Sequence, residues 1–130
     1  VAVKKGLPLF GVCLGHQGIA EHFGGRLKTF DRPFHGRASR IKHNRNSIFQ
    51  DLPNPILAGR YHSLYVEREK LPDCLEITAE TEEGVIMGLK HRDLPVMSVQ
   101  FHPESILTLR EQTGLKLIYR VIEILTADSR

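Results

Sequence analysis

Short apolar runs broken by glycine, proline and polar clusters fill the first hundred positions, and a longer helical period appears only near the end. Leu7-Pro8-Leu9-Phe10-Gly11-Val12 is nearly all apolar, as a strand buried in a parallel sheet is, and Gln17–Phe23 reads as a helix closed by Gly24-Gly25. Before them, Val1–Gly6 reads as the end of a helix with glycine past its last turn. Arg26–Phe30 and Ala38–Lys42 read as short strands around a polar loop at Asp31-Arg32-Pro33, and Ser47–Leu52 as a single helical turn stopped by Pro53 and Pro55. Arg60–Val66 is a further predicted strand. Leu75–Ala79 and Val85–Leu89 flank a turn at Glu82-Glu83-Gly84 and read as a hairpin, and Pro95–Phe101 is the last strand. From about Leu109 to Thr126, Leu115, Ile118, Ile122 and Leu125 recur at helical spacing, which predicts a helix packed by that face on a sheet.

A length of 130 residues suits one domain over 1–130, and 41% hydrophobic with 25% charged residues is ordinary for a globular chain. No run approaches a bilayer span and the N-terminus lacks a signal-peptide core, so a cytoplasmic location is expected. Cys13 and Cys74 are expected as free thiols, because a domain of this size needs no disulfide. The net charge of +3 includes a cluster at Arg37, Arg40, Lys42, His43 and Arg45. Without zinc-finger spacing or an aromatic stacking platform, that cluster reads as a solvated strand face and loop, or a contact with a partner domain, and no nucleic-acid partner is expected.

The chemistry concentrates at Gly11-Val12-Cys13-Leu14-Gly15, the spacing of a tight strand-to-helix elbow with cysteine in the nucleophile's place. The competing reading is an inert cysteine buried after a core strand; the order of strand, elbow and helix speaks against it. A cysteine nucleophile needs a base, and the base a group that orients it. His102 follows the strand Pro95–Phe101 and Glu104 lies two residues on, so in extended backbone both can project to one side. Taken alone, such a pair is more often a surface ion pair. In an open α/β sheet both motifs would meet at the strands' carboxyl ends if the two strands are parallel neighbours. His16 reads as structural, and His22, His35, His43 and His91 have no partner at metal-ligand spacing, so no metal is expected.

Gly11-Val12-Cys13-Leu14-Gly15-His16-Gln17 together with Val99-Gln100-Phe101-His102-Pro103-Glu104-Ser105 resembles the class I glutamine amidotransferases over the length of the chain. Tyr61-His62-Ser63-Leu64 and Phe101–Thr108 resemble the branch that serves chorismate-using synthases, chiefly anthranilate synthase in tryptophan biosynthesis, and Phe10–Gly25 with the tail after Thr108 looks most like the fused type. The resemblance implies an α/β, flavodoxin-like fold: an open, mostly parallel, doubly wound sheet with helices on both faces. It also implies a Cys13-His102-Glu104 triad that hydrolyses glutamine through a γ-glutamyl thioester, with the backbone N–H of Leu14 in the oxyanion hole and Gln17, Ser63 and Leu64 holding the substrate. Ammonia would pass to a synthase subunit or fused domain, with magnesium expected in that partner and no cofactor in this domain. Family members carry early strands and a glycine-rich loop before the elbow, with a second oxyanion donor. This chain lacks that segment, which implies a fragment that is feeble alone, since one lost donor costs on the order of 3 kcal/mol. Alternatives are the amidotransferase of 4-amino-4-deoxychorismate synthase, another cysteine-elbow hydrolase, and a non-catalytic binding or regulatory module.

Overall fold

The computed structural model describes residues 7–30, 37–45, 47–50, 52–60, 62–103, 106 and 113–127. The expected helix end at Val1–Gly6 and the loop at Asp31-Arg32-Pro33 lie outside them. Strand β1 (Leu9–Val12) leads through Cys13 into α1 (Leu14–His22), followed by β2 (Leu27–Thr29), β3 (Arg37–His43) and a 3-10 turn at Ser47–Phe49. Next come β4 (Ile56–Arg60), β5 (Leu64–Val66), β6 (Leu75–Thr81), β7 (Ile86–His91), β8 (Val96–Val99) and α2 (Thr113–Ala127).

Among the described residues six strands form one sheet in the order β1-β8-β7-β6-β3-β4, while β2 and β5 pair as a separate ribbon. The α/β class stands, with a correction to its sheet: among the described residues only β1 and β8 run parallel, and the other four pairings of the large sheet are antiparallel. For β6–β7 and β7–β8 the cause is connection length. β6, β7 and β8 are joined by short turns, which bring consecutive strands back antiparallel, whereas β1 reaches β8 across most of the chain.

The predicted strand Arg60–Val66 is also corrected, because the structure breaks it between two sheets. Its first residue ends β4 in the large sheet and its last three form β5 in the ribbon. The break falls where His62 is buried, its ring bound to the carbonyl of Leu64 instead of standing in a strand ladder. The hairpin is as expected: Gly84 takes φ 88 at its turn, and its N–H donates to Thr81 O at 3.0 Å.

Strand register sends alternate residues to the two helices. Gly11 pairs Ser98 on the side of α1, while Phe10 pairs Met97 and Val12 pairs Val99 on the side of α2. The larger core joins Met97, Val99 and Phe101 to Ile48 and Phe49 of the 3-10 turn and to Leu117 and Val121 of α2. A smaller core joins Ala20 of α1 to Val66, Leu75, Ile86 and Leu89. The β6–β7 register slips twice, with one extra residue at Thr78 in β6 and one at Met87 in β7. Ala79 and Met87 therefore enter the larger core while Ile77 and Leu89, each two residues away, face the smaller one.

Helix α2 meets the sheet, but by a different stripe from the one its periodicity predicts. Leu117 and Val121 are buried, and of the predicted stripe Leu125 packs with Ile124 against the larger core, whereas Leu115, Ile118 and Ile122 remain substantially exposed. Two apolar stripes run along this helix, and the sheet takes the one that the sequence pattern alone does not single out.

Candidate active site

Cys13 stands between the last residue of β1 and the first of α1 with φ 55 and ψ −101, a strained backbone for a residue with a side chain. Two features hold it there. Its N–H donates to Val99 O at 3.0 Å, and its own carbonyl accepts the N–H of Gln17 at 3.1 Å to open the helix. The turn is possible because position 11 is glycine: a Cβ there would lie 2.7 Å from both the carbonyl carbon of Gly15 and Cδ1 of Ile19. Gly15 differs, since a Cβ at that position would meet nothing within 4 Å. Of the two glycines in the motif, only the first is required by space.

The thiol of Cys13 is partly exposed, and Cys13 and Cys74 are both free. Leu14 is 77% exposed. Its backbone N–H precedes the first intrahelical donor, so it belongs to the helix end whose N–H groups have no carbonyl within the helix. His102 is partly exposed and lies three residues beyond the end of β8, the strand parallel to β1. Both therefore leave the sheet at neighbouring carboxyl ends. Glu104 lies outside the described residues.

Beneath the elbow the polar side chains are buried and joined. Gln17 donates through Nε2 to Leu64 O at 3.4 Å and to Gln100 Oε1 at 3.3 Å, and Gln100 donates through Nε2 to Cys13 Sγ at 3.7 Å. The structure thus brings Cys13, Gln17 and Leu64 together, while Ser63 is exposed beside Leu64. Arg60 is fully buried; its guanidinium donates to His62 Nε2 at 3.1 Å and to Glu83 Oε1 at 3.1 Å. His62 donates from Nδ1 to Leu64 O at 2.8 Å.

His16 fulfils its structural reading, with Nδ1 2.7 Å from Ser98 Oγ and complete burial. Desolvation, reinforced by nearby His62, pushes its pKa down to about 3. Burial also lowers the pKa of His62, with Arg60 adding to the effect, and that of His43. His43 is not part of a solvated basic face, since it is buried against Pro53 O at 2.6 Å, whereas Arg40, Lys42 and Arg45 are exposed. His91 is likewise structural, its Nδ1 accepting the N–H groups of Asp93 and Leu94. Among the described residues no group of three His, Cys, Asp or Glu side chains could hold a metal ion, and no helix is long and apolar enough to cross a membrane.

Arg60, His62 and Gln100 are the polar members that motif reading left without a role. For Gln100 the signal lay in the sequence as a single polar residue between apolar Val99 and Phe101, whereas Arg60 and His62 stand in a mixed run that carries none.

Residues 1–121 match the family described as Glutamine amidotransferase class-I. Among curated relatives, the chain is 55% identical to anthranilate synthase component 2 of Azospirillum brasilense, over 81% of this chain and 54% of that protein. It is 55% identical to aminodeoxychorismate/anthranilate synthase component 2 of Bacillus subtilis, over 78% of this chain and 53% of that protein. The chain thus spans about half the length of these relatives. A crystal structure assigned as a GMP synthase subunit from Thermoplasma acidophilum superposes with a TM-score of 0.81 at 26% identity, covering 94% of this chain and 59% of that one.

Proposed function

We propose, from the premise that this chain belongs to the class I glutamine amidotransferase family, that it forms the glutaminase part of an anthranilate synthase. In this reading the Cys13 thiolate attacks the side-chain amide of glutamine to give a γ-glutamyl thioester. His102, oriented by Glu104, gives the proton it took from the Cys13 thiol to the departing amide nitrogen, which leaves as ammonia, and then activates the water that releases glutamate. The backbone N–H of Leu14 donates to the oxyanion, and Gln17 with the Ser63-Leu64 backbone holds the substrate. Ammonia then passes to a synthase, as a separate subunit or a fused domain, which aminates chorismate. Any magnesium belongs to that partner's chemistry, not to this chain.

The observation that carries the reading is the backbone of Cys13. A side-chain-bearing residue held at φ 55 on the end of the parallel β1–β8 pair is strain placed where it presents a thiol. Free thiols accord with the reducing cytoplasm, the location this reading implies. The similarity to a Bacillus subtilis protein whose name covers both products supports a second reading, in which the same glutaminase serves aminodeoxychorismate formation. The partner synthase then decides the product.

Incubating the protein with the glutamine analogue 6-diazo-5-oxo-L-norleucine and mapping the adduct by mass spectrometry tests the proposal. Selective modification of Cys13 is expected. Folded protein that takes up no label would instead support a binding or regulatory role.

A further inference from the structure

Gln100 sits at the end of a hydrogen-bonded chain in which every member's orientation is forced. Guanidinium only donates, so Nε2 of His62, which receives Arg60 Nε–H, is the bare nitrogen and the ring proton sits on Nδ1, facing Leu64 O. A carbonyl only accepts, so the end of the Gln17 amide that faces Leu64 O is its NH2. The same nitrogen reaches Gln100, which must answer with its Oε1. The remaining end of the Gln100 amide, Nε2, then lies against Cys13 Sγ. Reversing Gln100 would oppose two donors at Gln17 and set a carbonyl oxygen against a sulfur anion. Gln100 is 1% exposed, so water does not compete for either end of its amide.

We propose that Gln100 is a further catalytic residue, whose Nε2–H donates to the Cys13 thiolate and supplies a fixed neutral donor beside the reacting sulfur. This rests on the reading of Cys13 as nucleophile. A hydrogen bond to an ionised acceptor is about twice as strong as one between neutral groups, so the donor acts most strongly on the charged sulfur that reacts. It differs from the role proposed for His102, because Gln100 moves no proton and carries no charge.

The test uses the protein together with its synthase partner, in wild-type form and as Gln100→Glu and Gln100→Met. Gln100→Glu keeps the acceptor for Gln17 and replaces the donor by a carboxylate; Gln100→Met removes the donor without adding charge. The readouts are the rate constant for iodoacetamide alkylation of Cys13 at pH 7, and kcat and KM for glutamine, with thermal melting as the check on folding. Alkylation is expected to fall more than tenfold in Gln100→Glu and severalfold in Gln100→Met, with kcat falling in parallel and KM changing less than about threefold. Folded variants that alkylate at the wild-type rate would overturn the proposal while leaving Cys13 as nucleophile. Should one variant fail to fold, the other decides. Wild-type Cys13 that resists 6-diazo-5-oxo-L-norleucine would instead remove the underlying reading.

Discussion

Gly11 and Ile19 approach so closely that a Cβ on the glycine would lie 2.7 Å from the isoleucine Cδ1. The same Cβ would lie 2.7 Å from the carbonyl carbon of Gly15, which cannot turn aside as a side chain can. Gly11→Ala is therefore expected to destabilise the protein by about 1–3 kcal/mol through overpacking. Gly15→Ala meets open space within a helix and is expected to be neutral or to stabilise by up to about 1 kcal/mol. Urea unfolding of the two variants side by side checks the contrast, and equal losses would contradict the packing described at the elbow.

Cys13→Ser is expected to abolish glutamine-dependent product formation by the assembled synthase, because the thioester can no longer form. Amination of chorismate supplied with free ammonium is expected to continue near the wild-type rate. Assaying the complex with each nitrogen source separates the two half-reactions. If the ammonium-driven rate collapses as far as the glutamine-driven one, the division of labour is wrong.

Acid is expected to weaken the fold through its buried histidines. His16 has a pKa of about 3 when folded, against the ordinary 6.5, so between those values the unfolded chain holds a proton that the native chain refuses. Stability is thus complete above pH 6.5 and declines as pH falls towards 3, by at most about 1.4 kcal/mol per pH unit for each such group. His62 and His43 are shifted in the same direction and add to the slope. Chemical denaturation at several values between pH 7.5 and 5 measures it. The slope is expected to be shallower in His16→Asn, and an unchanged slope in that variant would show that His16 does not contribute.

The two stripes of α2 give a direct measure of which face the sheet holds. Leu117 is 0% exposed, and Leu117→Ala is expected to cost about 2–5 kcal/mol. Ile122 is 50% exposed, and Ile122→Ala is expected to cost less than about 1 kcal/mol. Melting temperatures of the two variants decide the matter, since the stripe predicted from periodicity demands the reverse order.

Local chemistry made the elbow, the hairpin and most strands legible in the sequence, because a glycine beside a nucleophile and alternating apolar runs act through neighbours in the chain. What escaped depends on distant partners. Parallel pairing of β1 with β8 is legible only as a condition, and the short turns of the remaining sheet dictate antiparallel pairing only where consecutive strands are also neighbours in space. The burial of Arg60 was invisible for a related reason. Its pairing with Glu83 and His62 exists only once the chain leaves the large sheet at His62 for the ribbon. Cys13, Gln17 and Leu64 do come together, whereas the carboxylate expected behind His102 falls outside the described residues.

The paired slips in the β6–β7 hairpin cancel. Three steps along β6 from Ile77 to Glu80 match three steps back along β7 from Leu89 to Ile86, so the two arms regain phase after a disturbance only a few residues long. Losing Thr78 alone would make Ile77 and Ala79 consecutive and leave them opposite Leu89 and Gly88, and losing Met87 alone would make Gly88 and Ile86 consecutive and leave them opposite Ala79 and Glu80. Each slip is thus a separate local insertion, and either residue can be removed without sending the apolar side chains beyond it to the wrong side.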